Sequence, residues 1–454
     1  MLQRCFLFAG ILLLASCATS EKIAIQPPSL PLEFTQTGSS ELPEKWWLLF
    51  NDESLNQLIE TALLDNFDFQ SVKNRLEQAR AVARKSGAAS FPRLDGSVST
   101  SRSLSQSDDQ VKATTDLSSI GIAASYELDL WGRISANTGA AELDLLASQE
   151  ALNAAAISLS AEVAVTWYRL IDQQRQIELL KQQHQTDKKH LGAVTGRFRA
   201  GQITSTDLLQ QRQKVEATLG EIALAESKLK LLNHQLALLL GQPSTIISGA
   251  QIFPELPTLP MTGIPAELLN QRPDVRQAYF QVQAADQRAA VAVSERFPRI
   301  SLTANLDFDA TELFNNWLTN LAANLLVPII DGGQRKAEVG RAKAVRSEAL
   351  NRYKQTVLVA LKEVEDALVQ ETHQQQWLNH LNKQLSFSET VVEQTRQHYI
   401  HGEMDFFRFL GAVSSHQKLQ RSQLQAMREL IEYRINLYRA LAGSWNVKHV
   451  RNQI

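Results

Sequence analysis

Few residues in this chain are placed to do covalent chemistry. Ser415 and Lys418 have the S-x-x-K spacing of a serine nucleophile with a lysine base, but they lie in a helical stretch without any partner motif. H-E-x-x-H, the phosphate-binding loop and the G-x-S-x-G elbow are absent, and Cys5 and Cys17 have no zinc spacing. Neither an enzyme nor a bound metal or cofactor is expected. Cys17 is the residue with a chemical role: Leu14-Ala15-Ser16 precedes it, small residues for a peptidase and then a thiol that takes a lipid. The apolar run Phe6 to Ala15, behind Arg4, is too short to span a bilayer as a helix but suits a secretory signal, so residues 1–16 should be removed. The one cysteine then left cannot form an internal disulfide. Ala18, rather than aspartate, follows it and points to the outer membrane, where two or three acyl chains anchor stably.

Four acids form the other group of interest. Ile122, Ala124, Tyr126, Leu128 and Leu130 alternate with Gly121, Ala123, Ser125, Glu127 and Asp129, a strand with one side for lipid and one for water. Ile300, Leu302, Ala304, Leu306 and Phe308 alternate in the same way with Ser301, Thr303, Asn305, Asp307 and Asp309. Glu127, Asp129, Asp307 and Asp309 would then line a water-filled lumen and favour cations mildly; on separate strands they make no catalytic pair. Leu94 to Leu104 and Leu321 to Ile330 are weaker strand candidates. Four strands cannot close a barrel in lipid, since unpaired backbone groups there cost several kcal/mol each, so several copies must share one.

These strands are positioned by a duplicated chain. The 454 residues are 44% hydrophobic, enough for a core, and a formal charge of −2 without a basic block argues against nucleic acid. An offset of 206 aligns Asp68 with Asp274, Leu63 with Leu269, Ala79 with Ala285 and Phe91-Pro92-Arg93 with Phe297-Pro298-Arg299. Arg133, Gly201 and Gly241 recur in order as Arg335, Gly402 and Gly443. Residues 17–43, with Pro27-Pro28 and Pro31, read as a lipidated extended tether; 44–250 form a first repeat and 251–447 a second; 448–454 are a tail. Strands are expected at about 94–104, 118–131, 299–309 and 320–330, and hairpin helices at about 138–240 and 335–442.

Thr138 to Arg197 contains no proline and would extend roughly 90 Å as a helix. Ala156, Val163, Leu170, Ile177, His184, Leu191 and Phe198 recur every seven residues as a coiled-coil stripe, with His184 a tolerated polar core position. Glutamines crowd the remaining faces, as suits a wall wetted on both sides. The segments around Gly201 and Gly402 put glycine where one helix ends and Ser, Thr or Asp where the next begins, marking two hairpin tips.

Trp46-Trp47, Tyr126-Glu127-Leu128-Asp129-Leu130-Trp131-Gly132-Arg133, Arg272-Pro273-Asp274-Val275, Pro328-Ile329-Ile330-Asp331-Gly332-Gly333-Gln334-Arg335 and Leu437 to Trp445, with the lipidation motif, carry a resemblance. Together they resemble the outer-membrane efflux lipoproteins, the TolC-like family in its OprM/NodT branch, over nearly the whole chain. The resemblance implies a mostly α fold with a membrane β-barrel: long antiparallel hairpins forming a trimeric α-barrel, and four strands per protomer of a shared 12-stranded barrel. It implies a homotrimer in the outer membrane with a periplasmic helical extension, a periplasmic adaptor and an inner-membrane pump of RND type. The function implied is a passive exit duct for small molecules. The alternatives are the channel of a type I protein secretion system, or a non-channel coiled-coil lipoprotein, which would leave the strands unexplained. Arg197, Gly201, Thr204, Ser205, Gly402 and Glu403 match the tips that meet the adaptor. Asp207 matches an acidic position at the closed end and Tyr399 an aromatic one, and Asp207 is expected to restrain the pore with Arg197 or Arg408, unless it only caps a helix. Met404 departs from the family's best-known channel, which has arginine there.

Overall fold

The computed structural model describes residues 24–40, 42–107, 110–243, 252–309 and 317–441. Cys17, the signal segment, Gly443 to Trp445 and the tail 448–454 lie outside the described residues. In chain order the elements are a 3-10 turn Trp46–Phe50, α1 (Glu53–Asp65), α2 (Phe67–Gly87), β1 (Arg93–Ser107), β2 (Gln110–Leu128), α3 (Arg133–Arg199) and α4 (Ser205–Leu239). The second half brings a single turn Leu268–Gln271, then α5 (Pro273–Ser294), β3 (Arg299–Asp309), β4 (Trp317–Leu326), α6 (Gln334–Ile400) and α7 (Phe406–Leu441). Two compact units emerge, and neither is a repeat: one holds Arg75–Glu150 with Gln277–Thr356, the other Pro28–Asn74, Ala151–Arg276 and the chain from Val357 onward. Each unit takes corresponding pieces of both repeats, because the strands of the two halves pair with each other and so do their hairpins.

The first unit contains one antiparallel sheet in the order β1-β2-β3-β4. Its register sets Val98, Ile120, Phe308 and Trp317 in one row, and Leu128, Ile300 and Leu325 in another. Between these rows one face is apolar, and Leu94, Val98, Leu321 and Leu325 stand exposed on it. From Ile300 to Phe308 the strand rises about 27 Å, roughly 21 Å at the usual barrel tilt, the height of an outer-membrane apolar band. Below it Trp131 stacks on Phe297 at 4.9 Å and donates its indole N–H to the Pro298 carbonyl at 2.7 Å.

Several expected boundaries shift. β2 starts at Gln110 rather than 118, because it is paired out to the hairpin. It stops at Leu128 rather than 131, because the Asp129 carboxylate turns to accept the amides of Ile134 (2.9 Å) and Ser135 (2.8 Å) and so caps α3. That cap also lets α3 begin at Arg133, ahead of 138. β4 lies at Trp317–Leu326 rather than 320–330, since Pro328 has no N–H for a ladder.

The second unit has an aromatic core in which Trp46 and Trp47 are fully buried, Trp46 packing on Tyr438 at 5.7 Å and Phe50 on Tyr168 at 5.6 Å. Asp52 caps α1 through the Leu55 amide (3.1 Å) and accepts the Trp167 indole N–H (2.8 Å), fastening α1 to α3. Arg272, buried, donates to Asp274 (2.6 Å), Glu363 (2.8 Å) and the Ala440 carbonyl (3.3 Å), which explains the Arg-Pro-Asp motif: it seats the start of α5 between α6 and α7. The described part of the segment read as a tether is not loose. Phe34 is buried, Thr35 donates to Glu365 through its amide (3.1 Å) and hydroxyl (2.6 Å), and the amides of Gly38 and Ser39 reach the carbonyls of Pro260 and Leu259.

Gly241 closes α4 with φ +68°, and a side chain there would collide with the Asp65 carbonyl oxygen at the α1–α2 joint. Gly241→Ala should therefore lower stability by about 2 kcal/mol or more, seen as a fall in the midpoint of thermal unfolding in detergent. At Asp129, burial raises the carboxyl pKa, but the two amides, the Ser135 hydroxyl and Arg133 outweigh it and hold the group below its ordinary value. Its contribution is thus present above the unfolded carboxyl pKa and lost as pH falls through the folded one. Asp129→Ala should cost about 1 kcal/mol at pH 7, with the gap to the unaltered protein closing below about pH 3; a gap independent of pH would refute the ionised cap.

Candidate functional site

Two surfaces carry the residues singled out in the sequence: the polar face of the sheet and the tips of the hairpins. The polar face is mostly hydroxyl and amide. Ser97, Ser99, Ser119, Ser125, Ser301 and Thr303 share it by register, with Ser99 and Ser119 joined at 2.8 Å. Of the acids expected there, Asp129 has left the strand to cap α3. Glu127 is on the face but is held by Arg133 through both carboxylate oxygens at 3.1 and 2.8 Å. Asp307 stays on the face opposite Gly121, where a side chain in place of the glycine hydrogen would strike its carboxylate. Asp309 pairs across from Ser119 at the same level as Ser99. The expected acidic lining therefore reduces to Asp307 and Asp309, because Glu127 and Asp129, near the helix end of the sheet, are committed to an ion pair and a cap.

The tips are built alike from different side chains. At Gly201 (φ +69°) its own amide reaches the Phe198 carbonyl and that of Gln202 reaches Arg197, both at 3.0 Å. At Gly402 (φ +78°) the same two bonds run to Tyr399 (3.2 Å) and, from Glu403, to His398 (2.9 Å). This pair of bonds needs a left-handed residue, hence glycine at both turns. Thr204 then caps α4 and Asp405 caps α7, the latter through the Arg408 amide at 2.8 Å. Measured from the glycines, Thr204 corresponds to Asp405 and Asp207 to Arg408.

Asp207 does not meet Arg197 or Arg408 as expected. It completes a capping box, accepting the Thr204 amide (3.0 Å) and hydroxyl (2.8 Å), so helix chemistry has claimed its carboxylate. Arg408 lies 3.7 Å from Asp405. Arg197 instead stacks 4.4 Å over the Tyr399 ring, and Tyr399 lies flat on Phe409 at 5.7 Å. Phe406 and Phe409 pack with Val194 and Leu208, joining the two hairpins just behind their turns. Ser205 is the first residue of α4, and Glu403 bonds His398 at 2.5 Å, which holds the Glu403 carboxyl below its ordinary pKa. Met404 is half-buried.

Sequence reasoning missed the polar seam that fixes these hairpins. Asp187 of α3 is fully buried, accepting the Thr218 hydroxyl of α4 (2.9 Å) and the Gln417 amide of α7 (3.2 Å). Further along, Asp172 lies 3.2 Å from Arg428; burial raises the Asp172 pKa and Arg428 opposes the rise. Arg169 pairs with Glu432 at 2.8 Å. The only signal in the sequence was the density of Gln and charge along otherwise regular helices. Among the described residues no group of His, Cys, Asp or Glu could hold a metal ion, and no helix is long and apolar enough to cross a membrane.

Comparison with known proteins agrees with this geometry. The chain is 27% identical to the pyoverdine export outer membrane protein OpmQ of Pseudomonas aeruginosa, over 97% of its own length and 96% of the relative's. It is 30% identical to the solvent efflux pump outer membrane protein SrpC of Pseudomonas putida, covering 88% of this chain and 87% of that one. The solved outer-membrane channel OprN superposes with a TM-score of 0.85 at 26% identity, over 95% of this chain and all of that structure. The model of the family described as outer membrane efflux protein matches residues 58–242 and again 264–443, once for each repeat, and the chain belongs to that family.

Proposed function

We propose that three copies of this chain join their sheets into one twelve-stranded outer-membrane barrel and their hairpins into a periplasmic tunnel. The assembly is the passive exit duct of a tripartite efflux system for small molecules. A periplasmic adaptor docks at the tips around Gly201 and Gly402, and an inner-membrane pump of RND type supplies the energy; no catalysis belongs to this chain. A lipid on Cys17 anchors each copy beside the barrel. The observation that carries the reading is the sheet itself: β1 and β4 are left as edges while one face is apolar across a membrane's height. Since the strand number is even, the two edges run antiparallel and can pair copy to copy around a ring.

Residues 44–250 and 251–447 act as two structural repeats of this duct, and Asp307 and Asp309 are its remaining lumen acids. At the closed end, Arg197 clamped on Tyr399 restrains the second hairpin, while Asp207 holds the first turn in shape.

Purified protein should migrate as a heat-dissociable oligomer and conduct ions in a planar bilayer, with a mild cation preference that Asp307→Asn together with Asp309→Asn reduces toward none. A protein that stays a single copy and inserts no channel would end the proposal. Arg197→Ala, which frees Tyr399 without touching the α4 cap, should raise conductance and antibiotic leak several-fold; conductance equal to the unaltered channel would remove the clamp from the account.

A further inference from the structure

Helix α3 grips the second hairpin at two points one heptad apart. Arg197 lies over the Tyr399 ring of α6, and His190, two turns earlier on the same side of α3, meets the Phe409 ring of α7 with centroids 5.2 Å apart and planes at 62°. Tyr399 and Phe409 are stacked on each other, their planes 2° apart. The contacts therefore run in a line from Arg197 through Tyr399 and Phe409 to His190, so a cation and an imidazole of one helix hold two rings of the other hairpin. Val194, between them in sequence, is buried in the same cluster as Phe406 and Phe409. Of the four side chains in the line, only the imidazole is of a kind that changes charge near neutrality.

His190 is half-buried, and its Nδ1 is enclosed with no hydrogen-bond partner among the described residues. A neutral ring tolerates that, since one of its nitrogens carries no hydrogen. The imidazolium does not, because both nitrogens then donate and a charged donor buried without an acceptor loses its hydration for no return. Burial accordingly holds the His190 pKa below its ordinary value, and the Asp187 charge one turn back opposes the shift without cancelling it. Asp187 is already engaged, by the Thr218 hydroxyl on one oxygen and the Gln417 amide on the other. On α6, Arg396 is bound to Glu393 at 2.8 Å and His398 to Glu403 at the turn; on α7, Arg408 lies near Asp405 and His416 meets Ser388. On α4, Asp207 is closed in its capping box, Arg212 is exposed and Lys214 half-buried, and on α3 itself Lys188 and Lys189 are exposed. Once the ring leaves Phe409 it regains water and an ordinary imidazole value of about 6.5. The clasp is thus at full strength above that value and weakens as pH falls below it, by at most about tenfold per unit in each copy.

We propose that His190 is an acid-sensitive catch on the closed end: protonation withdraws the imidazole from Phe409, loosens the Phe409–Tyr399 stack and lets the second hairpin move. This rests on the reading that Arg197 on Tyr399 restrains that hairpin, and adds a proton as one thing that releases it. In planar bilayers, conductance of the full-length unaltered channel should rise several-fold between about pH 7.5 and about pH 5.5. His190→Phe keeps a ring against Phe409 but takes no proton, and its conductance should hardly change over that range. His190→Gln should be equally indifferent to pH whatever its starting level, which keeps the test open if the phenylalanine variant folds poorly. Asp307 and Asp309 are present in every variant, so any direct effect of pH on ion flow through the lumen cancels in the comparison. An acid response that persists in both His190 variants would overturn the proposal. So would its loss in His184→Gln or His398→Gln with His190 intact, which would place the sensor elsewhere. If Arg197→Ala leaves conductance unchanged at about pH 7.5, the clamp on Tyr399 fails; if it opens the channel while the unaltered protein ignores acid, only the His190 catch fails.

Discussion

A backbone amide or carbonyl facing hydrocarbon without a partner costs several kcal/mol, and a four-stranded sheet has two whole edges of them. β1 alone runs from Arg93 to Ser107, so a solitary copy inserted in lipid would carry a penalty larger than the stability of an ordinary domain. Pairing β4 of one copy with β1 of the next removes it. The contact is head-to-tail rather than self-complementary, and such contacts end in a closed ring or an unending filament. The apolar face between the Ile300 and Phe308 rows is then a consequence: once the edges are closed, what remains outward must suit lipid.

The helical unit faces the opposite problem, since water lies on both sides of a thin wall. A broad apolar stripe would be exposed there, and the buried seam is instead threaded with Asp172, Gln183, Asp187, Gln417 and Arg428. Buried polar pairs add little net stability, because desolvation offsets most of their attraction. What they contribute is register: Asp187 can satisfy both carboxylate oxygens only when Thr218 of α4 and Gln417 of α7 stand at its level. A shift of one turn in either helix would strand a charge in the interior. For helices of 67 residues, where apolar spacing alone allows many alignments, that penalty selects one.

How much of this was legible in the amino-acid order depends on the range of the interaction. Period-two alternation revealed β3, where each face is pure, and blurred at β4, where Leu318 and Leu326 put apolar residues on the polar face. Pro328 was a sharper marker of that strand's end than its hydrophobicity. The turns at Gly201 and Gly402 were readable because a left-handed residue and a cap are local requirements. Partners far apart in the chain were not readable: Asp129 read as a strand residue because its capping role depends on where α3 starts, and Asp207 was offered two arginines when its nearest donors were three residues away. Arg197 over Tyr399 joins separate repeats, and no spacing announces it. The Phe34 to Ser40 strap looked like free tether because its bonds go to Glu365 and to Leu259-Pro260, hundreds of positions on.

Duplication gives the molecule one backbone plan executed twice, and the plan tolerates different side chains wherever only the backbone matters. The terminal turn depends on a positive φ and two main-chain bonds, so both repeats keep glycine while the residues around it have drifted. Thr204 and Asp405 both cap, but one is neutral and the other charged; Asp207 and Arg408 occupy the same place with opposite sign. Six hairpins arranged around a pore would thus be nearly equivalent in shape and equivalent only by threes in charge. A motion that moves the second hairpin alone needs to break the Arg197–Tyr399 stack and the Phe409 contact while the first turn, held by its own capping box, stays as it is. Asymmetry of that kind would let one set of hairpins bear a closure and the other serve as a fixed frame, which an exact sixfold repeat would not allow.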